Sequence, residues 1–270
     1  MIGLRGGALA LLLGLSIAAR AGPAGTVQVA ATPDGESVAL ADGRIVRLAA
    51  VRVPRPEAPD DTLGEALARA AREALHGLAA GRRCSLDLVA PAPDRYGRLV
   101  AALDCAPDPG DLAAAMVRGG HVLVFPGAGE AEVAAPLYAS EEAARAARRG
   151  LWASGRYDVE AAAAVDAPPG RLVIVRGRVV AAARVEGFLY LNFGADWRRD
   201  FTVRLTGPVR RRLPKAARAA AWWRGRLVEV RGLLQRENGL LIEPGDPAQL
   251  RLPGDAAKEK PAPQPAPVQN

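Results

Sequence analysis

Two cysteines and two histidines are present in the 270 residues, and spacing limits what they can do. Cys84 and Cys105 flank a hairpin pattern, and directly opposed residues of a hairpin share a midpoint at its turn. Their midpoint falls between Asp94 and Arg95, inside the loop Pro91–Gly97. The thiols can therefore face each other and bond in an oxidising compartment; two separate buried thiols are the alternative. His76 follows Leu75 on a helical pattern and His121 follows Gly120, and neither has a His or Cys partner at metal spacing. A zinc site is not expected, and neither a Ser/His/Asp set nor a phosphate-cradling glycine loop stands out. Further along, Phe188, Tyr190 and Trp197 lie near Arg198 and Arg199, a mixture suited to stacking bases beside phosphates. Arg211, Lys215 and Arg218 share one face of a helical pattern, opposite Val209, Leu213, Ala216 and Ala220. The alternative for both groups is core aromatics beside solvated arginines.

Charge divides the chain. Residues 22–170 hold 15 Arg/Lys and 20 Asp/Glu, a net of −5, whereas residues 171–252 hold 17 and 7, a net of +10. A polyanion would be drawn to the second part.

The elements that must position these residues follow from periodicity. Residues 26–53 alternate as strands, punctuated by Asp34-Gly35 and Asp42-Gly43. Leu63, Leu67, Ala70, Ala74 and Leu78 predict a helix with Asp61 or Thr62 at its N-cap and Gly81 at its end. The cysteine hairpin follows, then a short helix from an Asp111 cap to Gly119-Gly120, then a helix over about 137–149. This predicts a small α+β domain over 26–155. Residues 156–170 read as a linker. From 171 to 252, strands at 172–180, 188–193 and 201–205, a helix over 209–220, and strands at 226–233 and 240–242 are in the order of a five-stranded OB barrel. Residues 253–270 are Pro- and Ala-rich and read as a disordered tail. At the other end, Arg5, the apolar run Ala8–Leu15 and Ala19-Arg20-Ala21 read as an export signal over residues 1–21, or as an uncleaved anchor. An export signal implies a periplasmic or secreted mature chain with no integral membrane span.

Four short motifs carry a resemblance. Asp34-Gly35-Glu36-Ser37, Val46-Arg47-Leu48, Asp94-Arg95-Tyr96-Gly97-Arg98 and Ala147-Arg148-Arg149-Gly150-Leu151-Trp152 follow one another in an order and spacing that resemble the staphylococcal nuclease (thermonuclease) family. The resemblance covers residues 26–155 and implies an OB-fold with added helices. It also implies phosphodiester hydrolysis, in which calcium held by carboxylates polarises the phosphate. Two guanidiniums grip the phosphate, and a further carboxylate helps activate water.

By that resemblance Arg47 and Arg98 occupy the two arginine positions; Arg98 read alone would be an exposed strand residue. Glu36 keeps one metal carboxylate, a methylene longer than the family's aspartate. The second metal aspartate matches Arg52, and the catalytic glutamate matches Arg55. Inserting two residues instead aligns Pro56-Glu57 with the family's Pro-Glu and keeps Glu57 as base, but leaves Pro54 in the aspartate's place. A guanidinium about 4 Å from a metal ion, at an effective dielectric near 20, repels each unit of ion charge by about 4 kcal/mol. The resemblance therefore implies an anion-binding mouth of Arg47, Arg98, Arg52 and Arg55 and a metal site that has lost a ligand, so no cofactor is expected, with calcium only if the chain is an active nuclease. Three functions stay open: binding of nucleic acid or another phosphate-bearing anion with little calcium-dependent cleavage; an active nuclease with altered metal use; and a scaffold for an envelope protein partner.

Overall fold

The computed structural model describes residues 25–253; the export-signal reading of residues 1–21 and the tail reading beyond Pro253 lie outside them. Among the described residues no helix is long and apolar enough to cross a membrane.

The chain opens with β1 (Gly25–Ala31), β2 (Ser37–Leu40), β3 (Ile45–Leu48) and the short β4 (Val51–Arg52). After α1 (Thr62–Ala79) come β5 (Arg83–Leu88) and β6 (Leu99–Asp104). Strand alternation sends Val29, Val38, Val46, Leu48 and Leu103 inward, all wholly buried. The sheet closes on itself in the order β1-β2-β3-β6-β5, with β1 paired to both β2 and β5 and with β3 running parallel to β6. A closed barrel has no free edge. The disulfide Cys84–Cys105 joins the β5 and β6 arms of the hairpin, with Cα atoms 4.1 Å apart. This is the pairing that the midpoint predicts.

Around the barrel stand α1, α2 (Leu112–Arg118), β7 (Leu123–Val124) and α3 (Ala131–Ala146). Asp61 caps α1 by accepting from Gly64 N, 2.9 Å, and Asp111 caps α2 by accepting from Ala114 N, 2.8 Å. The buried ridge of α1 is Gly64, Ala71, Leu75 and Ala79, about one residue round from the predicted stripe, and Leu63 is exposed. Close approach is the reason: a Cβ on Gly35 would lie 2.6 Å from the Ala71 Cβ, so only small side chains fit between helix and turn. α3 begins six residues before the expected start. Pro136, the natural stopping point for a helix read from sequence, lies inside it near the N-terminus.

The second half repeats the scheme. β8 (Val159–Ala161) runs parallel to β9 (Leu172–Arg178). The segment 156–170, expected as a linker, thus supplies a strand and the buried residues Tyr157, Ala162 and Ala167. There follow β10 (Ala181–Val185), β11 (Phe188–Asn192), β12 (Thr202–Leu205), α4 (Gly207–Arg212), β13 (Leu227–Glu237), β14 (Gly239–Ile242) and β15 (Leu250–Arg251). The predicted strand 172–180 is the first part of a longer bent one. β9 pairs with β13 and β10 with β11, while Val179 N bonds Arg226 O and Val180 N bonds Asn192 O on opposite sides. The order β10-β11-β12-β14-β13-β9 therefore returns to its first strand, and β12 runs parallel to β14 as β3 does to β6. Both halves have the OB strand order. The helix expected over 209–220 is broken: α4 stops at Arg212, Leu213 is extended, and short 3-10 turns follow at Ala216–Arg218 and Ala220–Trp222. Pro214 cannot follow a helical residue comfortably. As a result Ala217 is buried, Ala216 is exposed, and Arg211, Lys215 and Arg218 do not share one helix face.

The halves are joined by buried charge as well as apolar packing. Arg231 on β13, 1% exposed, donates to Val124 O at 2.6 Å and pairs with Glu141 of α3 at 2.9 Å and with Glu229 at 3.0 Å. Arg145 of α3 also reaches Glu229, 3.4 Å. Burial raises the Glu229 carboxyl, but Arg145, Arg231 and Arg176 outweigh it and bring its pKa down to about 2.

Candidate functional site

Three segments of the first barrel converge at its mouth. The turn into β2 brings Glu36, the end of β3 and the stretch through β4 bring Arg47, Arg52 and Arg55, and the β5–β6 loop brings Asp94 to Arg98. Together with Phe125 they line an open cleft of about 700 Å³.

Alternation in β3 turns Val46 and Leu48 into the barrel and Arg47 outward. Its guanidinium pairs with Glu130, which is 3% exposed, and lies 3.8 Å from Asp94. Glu130 also accepts from Ala50 N, 2.6 Å, and from Gly127 N, 3.1 Å. Ala50 has a left-handed backbone, φ 60°, so this carboxylate holds a turn that a side chain disfavours.

Asp94 organises the loop by accepting from Tyr96 N, 2.9 Å, from Arg98 N, 3.0 Å, and from Arg98 Nε, 2.9 Å. Burial pulls the Asp94 carboxyl up, but those donors and the Arg98 charge hold it below the usual carboxylate range. Arg98 further donates to Ser37 Oγ, 3.0 Å, and lies 3.5 Å from Glu36.

Glu36 is 4% exposed and fully engaged. Oε2 accepts from Val53 N, 2.8 Å, and Oε1 pairs with Arg55, 2.9 Å, and with Arg98. Arg52 is different. Its guanidinium carbon stands 5.1 Å from the Phe125 ring centroid, and no hydrogen bond or ion pair reaches it from the described residues. Burial lowers its pKa, Glu36 opposes that and Arg55 reinforces it; an arginine nonetheless stays charged at neutral pH.

Residues 45–154 match the family model described as staphylococcal nuclease homologue. The chain carries a domain of the staphylococcal nuclease family. No curated protein matches the chain.

The nuclease-like cleft brings Arg47, Arg52, Arg55, Arg98 and Glu36 together. Glu57 does not line that cleft. It pairs with Arg156 at 3.0 Å and with Arg171 at 3.6 Å, in an adjoining hollow beside Tyr157 and Pro168–Gly170 that Arg52 and Arg55 also line. Among the described residues no group of three or more His, Cys, Asp and Glu could hold a metal ion. The donor set at Glu36 does not fit calcium: both oxygens are already bonded, and its neighbours are guanidiniums instead of further hard oxygen ligands.

Phe125 and Arg95 line the cleft and Glu130 holds Arg47 beneath it; sequence reasoning gave none of the three a role. Glu130 lies 83 residues from Arg47, outside every quoted motif; its one local signal is a carboxylate after Gly127-Ala128-Gly129 at a helix start. On the second half, the Arg198 guanidinium lies over the Trp197 ring at 4.4 Å, and Arg199 follows on the same loop. Arg211, Lys215 and Arg218 are on other segments, and Arg218 Nε is spent on Leu213 O, 2.9 Å.

Proposed function

We propose that this is a periplasmic or secreted protein that binds nucleic acid, or another phosphate-bearing anion, at the nuclease-like cleft with little or no calcium-dependent cleavage. The single observation that carries this reading is Arg52: a half-buried guanidinium lining the open cleft, with no carboxylate within ion-pair distance among the described residues, beside Arg55 and Arg95, where the family places a metal carboxylate. A guanidinium that no carboxylate holds keeps its donors free at the mouth, and an incoming phosphate can take them in charge-assisted bonds. Arg47 and Arg98 are already held by Glu130, Asp94 and Glu36, so they set the shape of the mouth and Arg52 takes the anion. The absence of a free carboxylate at Glu36 opposes metal-assisted hydrolysis. The disulfide suits an oxidising compartment, as does the export signal read at the N-terminus.

The test is binding of single-stranded DNA and of a nucleoside diphosphate in excess EDTA at low salt. Arg52→Glu should weaken both by about tenfold or more, the scale of one lost charge-assisted contact. No measurable binding by the natural chain overturns the reading. Incubation of single-stranded DNA with calcium, magnesium and manganese should leave it intact; brisk digestion in any of them would favour an active nuclease instead.

A further inference from the structure

A second concavity lies on the other barrel at an equivalent place. In the first barrel the cleft is lined by the third barrel strand and by the loop between the fourth and fifth, with Arg47 and Asp94–Arg98. In the second barrel a hollow of about 350 Å³ is lined by Thr202 of its third strand and by Glu237-Asn238 at the turn between β13 and β14, its fourth and fifth. The chemistry of the two differs. Leu189 and Leu191 of β11 fill the barrel, so alternation presents Tyr190 and Asn192 to the hollow, and Trp197, 50% exposed, closes one side. Asn192 Oδ1 accepts from Thr202 Oγ1 at 3.3 Å, and Asn238 adds an amide at the rim. The cavity itself offers aromatic rings and amide edges beside the apolar Ala183, Val185 and Leu241, with the Glu237 carboxylate at its rim. Arg198 and Arg199, with no carboxylate within ion-pair distance among the described residues, stand just outside on the Trp197 loop.

We infer that this hollow is a second binding site, which takes an unpaired nucleobase of a single-stranded nucleic acid. The base packs against Trp197 and Tyr190 with its polar edge toward Asn192 and Asn238, and the adjoining phosphates lie on Arg198 and Arg199. The net charge of +10 on residues 171–252 draws such a strand to this half. The inference rests on nucleic acid being the ligand of the protein, and it makes the first cleft a reader of phosphate and the second a reader of bases.

The experiment compares a 12-nucleotide single strand with an abasic strand of the same length and charge, each titrated into the full mature chain in EDTA. The base-bearing strand should bind more tightly. Trp197→Ala should weaken it by about fivefold or more, in line with the loss of one base–aromatic stack, and leave the abasic strand unchanged. Trp197→Phe should recover part of the loss. Because Trp197 is half exposed on a loop, an unchanged thermal midpoint accompanies these variants. Equal binding of the two strands by the natural chain overturns the inference, as does Trp197→Ala with no effect, or Trp197-dependent binding of a neutral oligosaccharide in place of DNA. Failure of the cleft reading looks different: base-bearing strands would then bind with no response to Arg52→Glu.

Discussion

The third strand of each barrel has nearly the same four residues, Ile45-Val46-Arg47-Leu48 and Thr202-Val203-Arg204-Leu205. In both, valine and leucine are wholly buried inside the barrel and the arginine points out between two carboxylates. The carboxylates differ in origin and in depth. Arg47 is caught by Glu130, nearly inaccessible and delivered by the start of a helix far along the chain, and by the loop residue Asp94. Arg204 is caught by Glu237, the last residue of β13, and by Glu243, just past the far end of β14, with side chains 56% and 29% exposed. One scaffold thus uses the same arginine as a buried tertiary lock in one barrel and as a surface clamp in the other. An arginine in a motif position is therefore not itself evidence of a free binding group; its counter-ions decide.

The largest expected effect breaks the buried lock. Glu130→Ala leaves Arg47 without its main partner, frees the Ala50 and Gly127 amides, and withdraws support from the left-handed Ala50. Removing one partner of a buried pair costs about 3–5 kcal/mol, measurable as a fall in the urea midpoint. A loss below 1 kcal/mol would show that depth does not separate the two arginines.

Next comes the covalent difference. The first barrel is cross-linked between Cys84 and Cys105 and the second has no cysteine. Cys84→Ser with Cys105→Ser should destabilise by about 3 kcal/mol, the scale for closing a loop of this length. The loss should fall on the first barrel, so amide exchange should rise there before it rises in β9 to β14.

The contact between the barrels should respond to acid. The Glu229 carboxyl is depressed to about 2 from an ordinary value of 4.5. Its pairs with Arg231, Arg145 and Arg176 therefore stabilise the chain fully above about pH 4.5 and are lost as pH falls toward 2. Thermal midpoints should drop through that window, and Glu229→Gln should flatten the drop.

Much of this was legible in sequence where the signal is local. The turn-centred midpoint of Cys84 and Cys105, the caps at Asp61 and Asp111, and the strand order of both barrels follow from residues close together in the chain. What escaped depends on tertiary contact. The ridge of α1 was misplaced because Ala71 is chosen by the closeness of Gly35, which hydrophobic periodicity does not register. The bend at Val179-Val180 is set by two different neighbours, and Glu130 finds Arg47 only after the helix folds over the mouth. The motif placed Arg47, Arg52, Arg55 and Arg98 in one mouth, but pairing, which separates Arg52 from the others, is a property of the folded charges.

The smallest effect is the sharpest control on the comparison. Glu237→Gln removes a carboxylate 2.6 Å from Arg204 yet leaves Glu243, also 2.6 Å away, to hold the guanidinium. Glu237 is more than half exposed, so water replaces much of what is lost, and the cost should be below about 1 kcal/mol. Because Glu237 also lines the hollow beside Trp197, losing its charge should modestly tighten base-bearing single strands while stability barely moves. Added salt should shrink that gain, since screening acts on exposed charge first. A destabilisation as large as that of Glu130→Ala would mean that Arg204 is locked as firmly as Arg47, and that exposure is a poor guide to which arginines are structural.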